Sequence, residues 1–237
     1  MKPTFLLFSF LSIFISPLLA EEKSIFNGKD LAGWSGAMEF WSVRDGAITG
    51  ETTAEKRTAQ NTFLVLDGIE VADFELRFSY RIMDVQGASK GFGNSGVQYR
   101  SKLIDAAAFI VAGYQADFEC GETYSGILYE ERGRGILAQR GQKVTIQNGP
   151  VPEKPSIIET GKTGDSAVIQ AAIKPADWNE YRIVAKGGHL QHFINGKLTV
   201  EVTDESSMAA KSGILALQLH AGEPMTVQFK DLFLTEK

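Results

Sequence analysis

The sequence is poor in cysteine and proline and has no excess of positive charge. Its single cysteine, Cys120, cannot form a disulfide within the chain, so a fold built from 237 residues must rest on its apolar core. Lysine and arginine number 24 against 29 aspartates and glutamates, which gives a net charge of −5. Because no cationic surplus is available to neutralise phosphates, the composition argues against nucleic acid as a partner.

Motifs of several common enzyme classes are also lacking. The sequence contains no Gly-x-Ser-x-Gly elbow, no P-loop and no dinucleotide-binding fingerprint. No repeat with a period of 20 to 50 residues is visible either, which disfavours solenoids and propellers. The sequence therefore contains none of the usual motifs for hydride transfer or phosphoryl transfer.

Long apolar runs are absent except near the N-terminus. Residues 1–20 combine an early lysine, an apolar run over residues 5–15 and a small residue at Ala20, followed by two glutamates. This pattern is typical of a secretory signal peptide, and the run is too short to span a membrane. The sequence thus predicts an exported protein, periplasmic or secreted, in which residues 21–237 form one domain with no membrane insertion after cleavage.

The composition of the remaining chain favours strands. The full sequence is rich in glycine, with 24 residues, and in phenylalanine, with 15, and short segments after residue 20 alternate between polar and apolar residues. The sharpest turn signal is Asn195-Gly196, which predicts a type I′ hairpin. We predict strands over residues 74–82, 95–101, 113–118, 181–186, 190–194, 197–203, 213–220 and 225–234. This pattern predicts an all-β sandwich.

One segment, at about residues 123–177, departs from that pattern. It is rich in glycine and arginine, holds four of the seven prolines and has few long apolar runs. We interpret it as an excursion from the sheet, either a lid or an interface. Short helices are expected only over residues 101–108 and 206–211.

Three predicted strands place polar side chains on one face, because alternate residues of a strand point the same way. Each strand offers a glutamine two residues before an ionisable group: Gln98 and Arg100, Gln115 and Asp117 with Glu119 beyond it, and Gln218 and His220. Long hydrogen-bonding side chains on a sheet suit a sugar, whose hydroxyl groups need such partners. The alternative is a sheet face that is simply solvated.

Sugar rings also stack on aromatic side chains, and five aromatic residues are candidates for that role: Trp34, Trp41, Tyr99, Tyr114 and Tyr129. The alternative for each of them is a place in the core. His189 and His192 are expected to be exposed residues of the hairpin, with no further ligands at zinc spacing. His220 is either a hydrogen-bonded structural residue or a catalytic one.

Four carboxylates are candidates for acid or base chemistry: Asp117, Glu119, Glu130 and Glu131. Sequence spacing does not show which of them face each other. Arg132 and Arg134 could hold Glu130 or Glu131 in salt bridges, in which case those glutamates belong to the scaffold.

Eight segments of the chain resemble the 3-keto-disaccharide hydrolase family: SIFNGKDLAGW, WSVRDGAITG, GNSGVQYR, GYQADF, SGILYEERGRGIL, WNEYRIVAKG, HFINGKLTVEVTD and GILALQLH. The resemblance implies a concanavalin A-like jelly roll of two antiparallel sheets with a ligand groove on the concave face. It also implies a carbohydrate substrate and cleavage of sugars oxidised at C3. Family members often carry Gly-Tyr-Glu where this chain has Gln115, so one carboxylate is missing here.

The chemistry implied by the resemblance starts from a ketone at C3, which acidifies the proton on C2. A base removes that proton, the enolate expels the C1 substituent, and water adds back. We expect His220 or Asp117 to be the base and Arg100 to stabilise the negative charge. The substrate-binding candidates are Gln98, Gln115, Gln218, Tyr129, Tyr114 and Glu131.

Three points stay open at the level of sequence. A divalent cation is a candidate Lewis acid, with no ligands identified. A non-catalytic carbohydrate-binding module is the alternative to a hydrolase, since a shared fold does not separate the two. A scaffold or adhesion domain would instead present a flat apolar patch.

Overall fold

The chain is folded almost entirely into strands, which confirms the all-β prediction. The computed structural model describes residues 21–87 and 90–237, so the predicted signal peptide over residues 1–20 lies outside the described residues. The strands, in chain order, are β1 (Glu22–Ser24), β2 (Trp34–Ser35), β3 (Trp41–Arg44), β4 (Ala47–Glu51), β5 (Thr62–Val71), β6 (Phe74–Asp84), β7 (Asn94–Asp105), β8 (Ile110–Glu119), β9 (Leu128–Glu131), β10 (Gly135–Ala138), β11 (Gln142–Val151), β12 (Lys154–Lys162), β13 (Asn179–Lys186), β14 (His189–Ile194), β15 (Lys197–Asp204), β16 (Gly213–Leu219) and β17 (Met225–Glu236).

These strands form two sheets. The larger sheet has ten strands in the order β12-β11-β15-β14-β13-β6-β17-β4-β3, with β1 pairing to β17. The smaller sheet has seven strands in the order β10-β9-β8-β7-β16-β5-β2. Among the described strands the pairing is antiparallel except between β11 and β15, which run parallel. The predicted two-sheet sandwich is confirmed.

Aromatic side chains fill the space between the sheets. Tyr80 stacks on Phe118 with ring centroids 4.0 Å apart, and Phe78 stacks on Tyr181 at 5.4 Å. Four of the five candidate stacking residues, Trp34, Trp41, Tyr99 and Tyr114, are buried in the same core. For these four the core alternative is the one that the structure supports, because their strands turn them toward the opposite sheet.

His192 also lies in this core, so the expectation that it is exposed is wrong. It shares a face of β14 with Leu190 and Ile194, both buried. Its Nε2 lies 2.9 Å from the Tyr99 hydroxyl and its Nδ1 3.3 Å from the Tyr181 hydroxyl. Burial lowers the pKa of His192 to about 3, so the ring is neutral at physiological pH. His189, at the start of the same strand, is partly exposed.

The hairpin prediction at Asn195-Gly196 is confirmed. Both residues have positive φ, 47° and 76°, between β14 and β15, as a type I′ turn requires. Asn195 fits this position because its side chain also donates to the carbonyl of Ala172.

The segment 123–177 is not an excursion from the sheets. It supplies β9 and β10 to the smaller sheet and β11 and β12 to the larger one. Its apolar signal is weak because β12 is an exposed edge strand, with Ile157 and Ile158 each 43% exposed.

Neither predicted helix is present. Residues 101–108 continue β7 to Asp105 and then turn, and residues 206–211 contain turns. The α-helix that does form, α1 (Ser166–Gln170), starts where the carboxylate of Asp165 accepts from the backbone N–H groups of Ala167 and Val168. A 3-10 turn covers Met38–Phe40. Across residues 21–87 and 90–237, no helix has the length and apolar composition needed to cross a bilayer.

A bulge in β7 sets the position of Arg100. Tyr99 pairs with Tyr114, but the next pair is Lys102 with Ala112, and Arg100 has a φ of 47°. The extra residue reverses the alternation, so the prediction that Gln98 and Arg100 share a face is wrong. The bulge also bends the β7–β8 hairpin.

The bent hairpin tip covers part of the smaller sheet. Val111 packs there on Phe63, Val65 and Ala216 in a second apolar cluster, separate from the main core. The backbone N–H of Phe63 donates to the carbonyl of Phe109 at 3.1 Å, which fastens the tip to β5. One end of the outer face of the smaller sheet, meaning the face turned away from the larger sheet, is therefore closed.

Arg100 holds three loops together at the end of the sandwich. Its guanidinium donates to the carbonyls of Ala72 and Gly187 at 2.7 and 2.6 Å and to a carboxylate oxygen of Asp73 at 3.1 Å. A further bond reaches the carbonyl of Ala210. The side chain is only 1% exposed, so these bonds are shielded from water.

We expect Arg100→Lys to destabilise the fold by about 2–4 kcal/mol, because lysine cannot reach several acceptors in different directions and buried carbonyls lose their donor. The midpoint of urea unfolding measures this loss. Arg77→Lys is the matched control, since Arg77 pairs with Glu22 on the surface and its loss should be much smaller. Equal losses in the two variants would contradict the structural role of Arg100.

Candidate functional site

A cavity of about 310 Å³ opens on the outer face of the smaller sheet, beside the part that the hairpin tip covers. Its polar lining includes Asn61, Asn94, Gln115, Asp117, Glu131, Gln218 and His220. Tyr124, Ile127, Tyr129 and Ile136 complete the wall. Five of these side chains come from β8, β9 and β16 of the smaller sheet, and His220 directly follows β16.

The alternation of β8 and β16 directs their polar residues into the cavity. On β16, Leu217 and Leu219 face the core, while Gln218 and His220 line the cavity. On β8, Gln115 and Asp117 line it in the same way. These two predicted pairs, Gln-x-His and Gln-x-Asp, do come together as the period of two indicates.

Side-chain amides form a hydrogen-bonded chain across the floor of the cavity. The amides of Gln98 and Gln115 are hydrogen-bonded at 2.6 Å, and Gln218 Nε2 donates to Gln115 Oε1 at 2.9 Å. Gln218 Nε2 also donates to Glu131 Oε2 at 3.2 Å. A Cβ on Gly96 would lie 2.6 Å from Gln115 Cγ, so a glycine is needed to let this side chain cross β7. The hydrogen bond from Gln218, the last amide of this row, positions the carboxylate of Glu131.

Asp117 is a buried carboxyl group with an abnormal pKa. Its Oδ1 accepts from Asn94 Nδ2 at 3.3 Å, and its side chain lines the cavity. Burial raises the pKa of Asp117 well above its usual range, and the negative charges of Glu119 and Glu131 raise it further. The carboxyl group therefore keeps its proton to a higher pH than an exposed aspartate and can donate a hydrogen bond.

Glu131 is the second carboxyl group of the cavity. Besides Gln218, Asn61 Nδ2 lies 3.3 Å from its Oε2 and 3.4 Å from its Oε1. Burial raises the pKa of Glu131, opposed by Asn61 and by the charges of Arg132 and His220. Glu131 and His220 line the same cavity.

The other two candidate carboxylates have structural roles. Glu119 Oε1 accepts from the backbone N–H groups of Thr123 and Tyr124 at 2.6 and 2.8 Å, which shapes the loop after β8. Glu130 forms a buried salt bridge with Arg134 at 2.6 Å. Glu130 is therefore a structural residue, as in the alternative where Arg134 holds it in a salt bridge.

His220 is fixed in one tautomer by the next peptide. Its Nδ1 lies 2.5 Å from the carbonyl oxygen of Ala221, which can only accept, so Nδ1 carries the proton and Nε2 is left as an acceptor. The N–H of Ala221 donates to Asn61 Oδ1 at 3.0 Å. The ring of Phe92 meets His220 edge-on with centroids 5.7 Å apart. The imidazole is thereby held against the cavity with a basic nitrogen available.

Three residues predicted for the site lie outside it. The hydroxyl of Tyr114 donates to Asp204 Oδ2 at 2.5 Å inside the sandwich, where Arg134 also binds Asp204. Gln98 is buried behind the cavity wall. Arg100 points to the end of the sandwich. The alternation rule fails for Arg100 because of the bulge, and Tyr114 faces the core on β8.

Five lining residues were not predicted: Asn61, Asn94, Tyr124, Ile127 and Ile136. Asn94 stands in the GNSGVQYR segment and at the first position of β7, where its proximity to the site could have been noticed. Asn61 lies just before β5, in a segment without polar and apolar alternation. Its side chain is positioned by the backbone N–H of Ala221, which is far away in the sequence.

Within the part of the chain that the structure describes, no group of three or more histidine, cysteine, aspartate or glutamate side chains is placed to hold a metal ion. Asp117, Glu131 and His220 share the cavity without forming such a group. Zinc and related ions are usually held by at least three such ligands. The residues present do not fit that pattern, so the divalent cation stays a prediction and we derive no step through it.

The fold and the polar cavity on the outer face of one sheet define a jelly-roll domain of the galectin-like kind. A proposed glycosyl hydrolase from Parabacteroides distasonis has the same fold, with a TM-score of 0.55, 18% identity and coverage of 91% of this chain and 94% of that one. So does a protein of unknown function with a galectin-like fold from Bacillus subtilis, with a TM-score of 0.53, 11% identity and coverage of 87% and 90%. The carbohydrate-binding module CBM66 from Bacillus subtilis follows with a TM-score of 0.51, 14% identity and coverage of 86% and 96%.

The chain belongs to the family of 3-keto-alpha-glucoside-1,2-lyase-like domains, whose sequence profile matches residues 21–235. This match confirms the resemblance stated from the sequence. No curated protein matches the sequence significantly.

Gly222 lies directly behind the site. It has a φ of 140°, and a Cβ there would lie 2.7 Å from Cζ of Phe92, whose ring contacts His220. We expect Gly222→Ala to cost about 1–3 kcal/mol and to shift the NMR signals of the His220 ring, because a rigid ring must move. In the control Gly161→Ala, the atom nearest to the new Cβ is Lys143 Cδ at 3.6 Å, and both quantities should stay near wild type. Unchanged His220 signals in Gly222→Ala would contradict the contact.

Asp117 should make stability depend on pH in a defined direction. A carboxyl group with a raised pKa in the folded state contributes stability below the pKa of the unfolded chain, about 3.9, and loses it as pH rises through the folded pKa. We therefore expect Asp117→Asn to gain urea resistance relative to wild type as pH rises above about 4. Asp30→Asn should instead lose urea resistance relative to wild type as pH rises toward about 4, and should show no further change above it, since hydrogen bonds from Asn27 and Ala32 lower the pKa of Asp30. The same trend in both variants would contradict this assignment.

Proposed function

We propose that this protein acts on carbohydrates and cleaves 3-keto-glucosides by removing the C2 proton and expelling the C1 substituent. The family to which the chain belongs is described by 1,2-lyase chemistry on 3-keto-alpha-glucosides, which supports both the substrate class and the bond. The cavity supports it independently, since it combines amides for hydroxyl groups with three ionisable groups. Its volume of about 310 Å³ suits one sugar ring with part of its substituent.

The observation that carries the proposal is the contact between Nδ1 of His220 and the carbonyl oxygen of Ala221 at the wall of the cavity. Because Nδ1–H is bound to the carbonyl of Ala221, Nε2 holds a lone pair in a cavity that also contains Asp117 and Glu131. A neutral imidazole removes a proton from carbon acidified by a neighbouring ketone without a metal or a strong external base. Of the two bases expected from the sequence, His220 is the better candidate, because the raised pKa of Asp117 favours its protonated form.

In the proposed reaction, Nε2 of His220 takes the proton from C2, and the electron pair of the broken C–H bond forms an enolate with the C3 ketone. Protonated Asp117 donates a hydrogen bond to the enolate oxygen, as a buried carboxylic acid can. The enolate then expels the C1 substituent, whose oxygen receives a proton from Glu131. The product has a double bond between C1 and C2, and addition of water to it completes the hydrolysis.

The amides serve the hydroxyl groups of the sugar. Asn61, Asn94 and Gln218 reach the cavity wall with hydrogen-bonding capacity, while Gln115 connects them through the amide chain. Tyr129 provides the aromatic surface on which the CH face of a pyranose can stack.

A non-catalytic carbohydrate-binding module is the second candidate, favoured only by the fold shared with CBM66. Binding alone would need the amides and Tyr129. It would not need Asp117 buried with a raised pKa, an arrangement that reduces the stability of the fold above the usual pKa of an aspartate. The ionisable groups thus favour the enzyme.

His220→Gln tests the proposal directly. We expect kcat on an aryl 3-keto-glucoside to fall by about 10²–10⁴-fold, because the variant lacks the base, while KM changes little. Released phenol and the 3-keto product are measured by absorbance and mass spectrometry, with and without a chelator. His189→Gln is the control, since His189 lies at the start of β14 in the larger sheet, beside Glu201, and its loss should leave the rate unchanged.

Two results would overturn the assignment. Wild-type turnover in His220→Gln would exclude His220 as the base. Binding of the glycoside by the wild-type protein with no turnover of any 3-keto form would favour the binding module instead. Loss of turnover with the chelator alone would show that the predicted divalent cation is required.

A further inference from the structure

A second depression lies next to the cavity, on the other side of the turn that follows β9. This groove has a volume of about 500 Å³. Glu131 lines both the cavity and the groove, so a ligand whose ring occupies the cavity can extend past Glu131 into the groove. No role for the groove follows from the proposed reaction itself.

The groove is cationic, although the protein as a whole has a net charge of −5. Lys102 from β7, Arg132 from the β9–β10 turn and Lys211 from the loop before β16 line it. Within residues 21–87 and 90–237, none of these three side chains has a carboxylate within salt-bridge distance. Three cations from separate elements therefore line one groove, and none of them is in a salt bridge with another described residue.

The acidic residues of the groove do not cancel this charge. Glu130 is neutralised by Arg134 at 2.6 Å, and Glu131 faces the cavity with a raised pKa. Arg100 reaches the groove wall, but its own charge is paired with Asp73. Arg132 is held in place by a bond from its guanidinium to Gln60 Oε1 at 2.9 Å, next to Asn61 of the cavity.

The groove also has a surface for an apolar body. Met208 is 45% exposed there, beside Ala209 and Ala210, and Ser207 and Ser212 add hydroxyl groups. A ligand part that combines a ring or a short carbon skeleton with a negative charge would match both features.

We propose that the groove is a subsite for the C1 substituent of the substrate and selects substituents that carry an anionic group, such as a carboxylate or a sulfonate. This inference rests on the proposed function, because it places the departing group on the far side of Glu131, the residue assigned to protonate its oxygen. It adds a specificity that the cavity alone does not have, since the cavity lining contains carboxyl groups and amides but no lysine or arginine.

The test compares three aryl 3-keto-glucosides of nearly equal size, with 4-carboxyphenyl, 4-sulfophenyl and 4-carbamoylphenyl groups at C1. We expect kcat/KM to be about tenfold higher for the two anionic compounds than for the amide, and the ratio to shrink at high salt. In the double variant Lys102→Gln/Lys211→Gln the ratio of kcat/KM between the anionic compounds and the amide should fall to about one. Lys29→Gln/Lys197→Gln is the control with the same change in net charge.

The outcomes separate the two proposals. Cleavage of all three compounds with equal efficiency overturns the anionic subsite and leaves the proposed function intact. Absence of any cleavage overturns the proposed function, and titration of the same compounds then decides the groove by binding. Tighter binding of the anionic pair that is lost in Lys102→Gln/Lys211→Gln supports the subsite, and equal affinities overturn it.

Discussion

Polar side chains buried on the outer face of the smaller sheet have to find partners among themselves, because the backbone groups around them are already paired within the sheet. The amides of Gln98, Gln115 and Gln218 meet this requirement by bonding to one another in a row. If some of these amides lacked partners, the fold would be less stable than with apolar side chains in their place, because each unpaired buried amide carries its full desolvation penalty. The last amide donates to Glu131, so the stability of the sheet face and the placement of a cavity carboxyl group depend on the same bonds.

The bulge in β7 divides the outer face of the smaller sheet into a covered part and an open part. The bulge at Arg100 bends the β7–β8 hairpin over β5, where Val111 packs on Phe63 and covers one end of the outer face. The other end stays open and holds the cavity. A regular hairpin would leave the apolar residues of β5 exposed and give a flat surface in place of a bounded pocket.

The sequence was sufficient for the sandwich, for the hairpin at Asn195-Gly196 and for the two polar pairs of β8 and β16, because all of these follow from a period of two and from turn chemistry. The same period could also have placed His192 in the core, since it alternates with Leu190 and Ile194. Arg100 could not be placed, because one extra residue reverses the face and the sequence does not mark it. Asn61 could not be found at all, since its position depends on a contact 160 residues away.

The strands of residues 123–177 were missed for a related reason. Much of β11 and nearly all of β12 faces solvent, so their apolar alternation is weak, and pairing with β15 supplies the order that local sequence does not indicate. Sequence patterns report burial, and they lose sensitivity where a strand is held mainly by its backbone bonds.

One residue, Ala221, contacts both His220 through its carbonyl and Asn61 through its N–H. These two groups belong to the two peptide planes that meet at the Cα of Ala221. The His220 ring and the Asn61 amide that contacts Glu131 are therefore linked through the backbone of a single residue, and a change in its backbone angles would affect both. Substitutions in the loop after β16 are therefore constrained. A change in the backbone of Ala221 that alters the position of His220 also alters the position of Asn61.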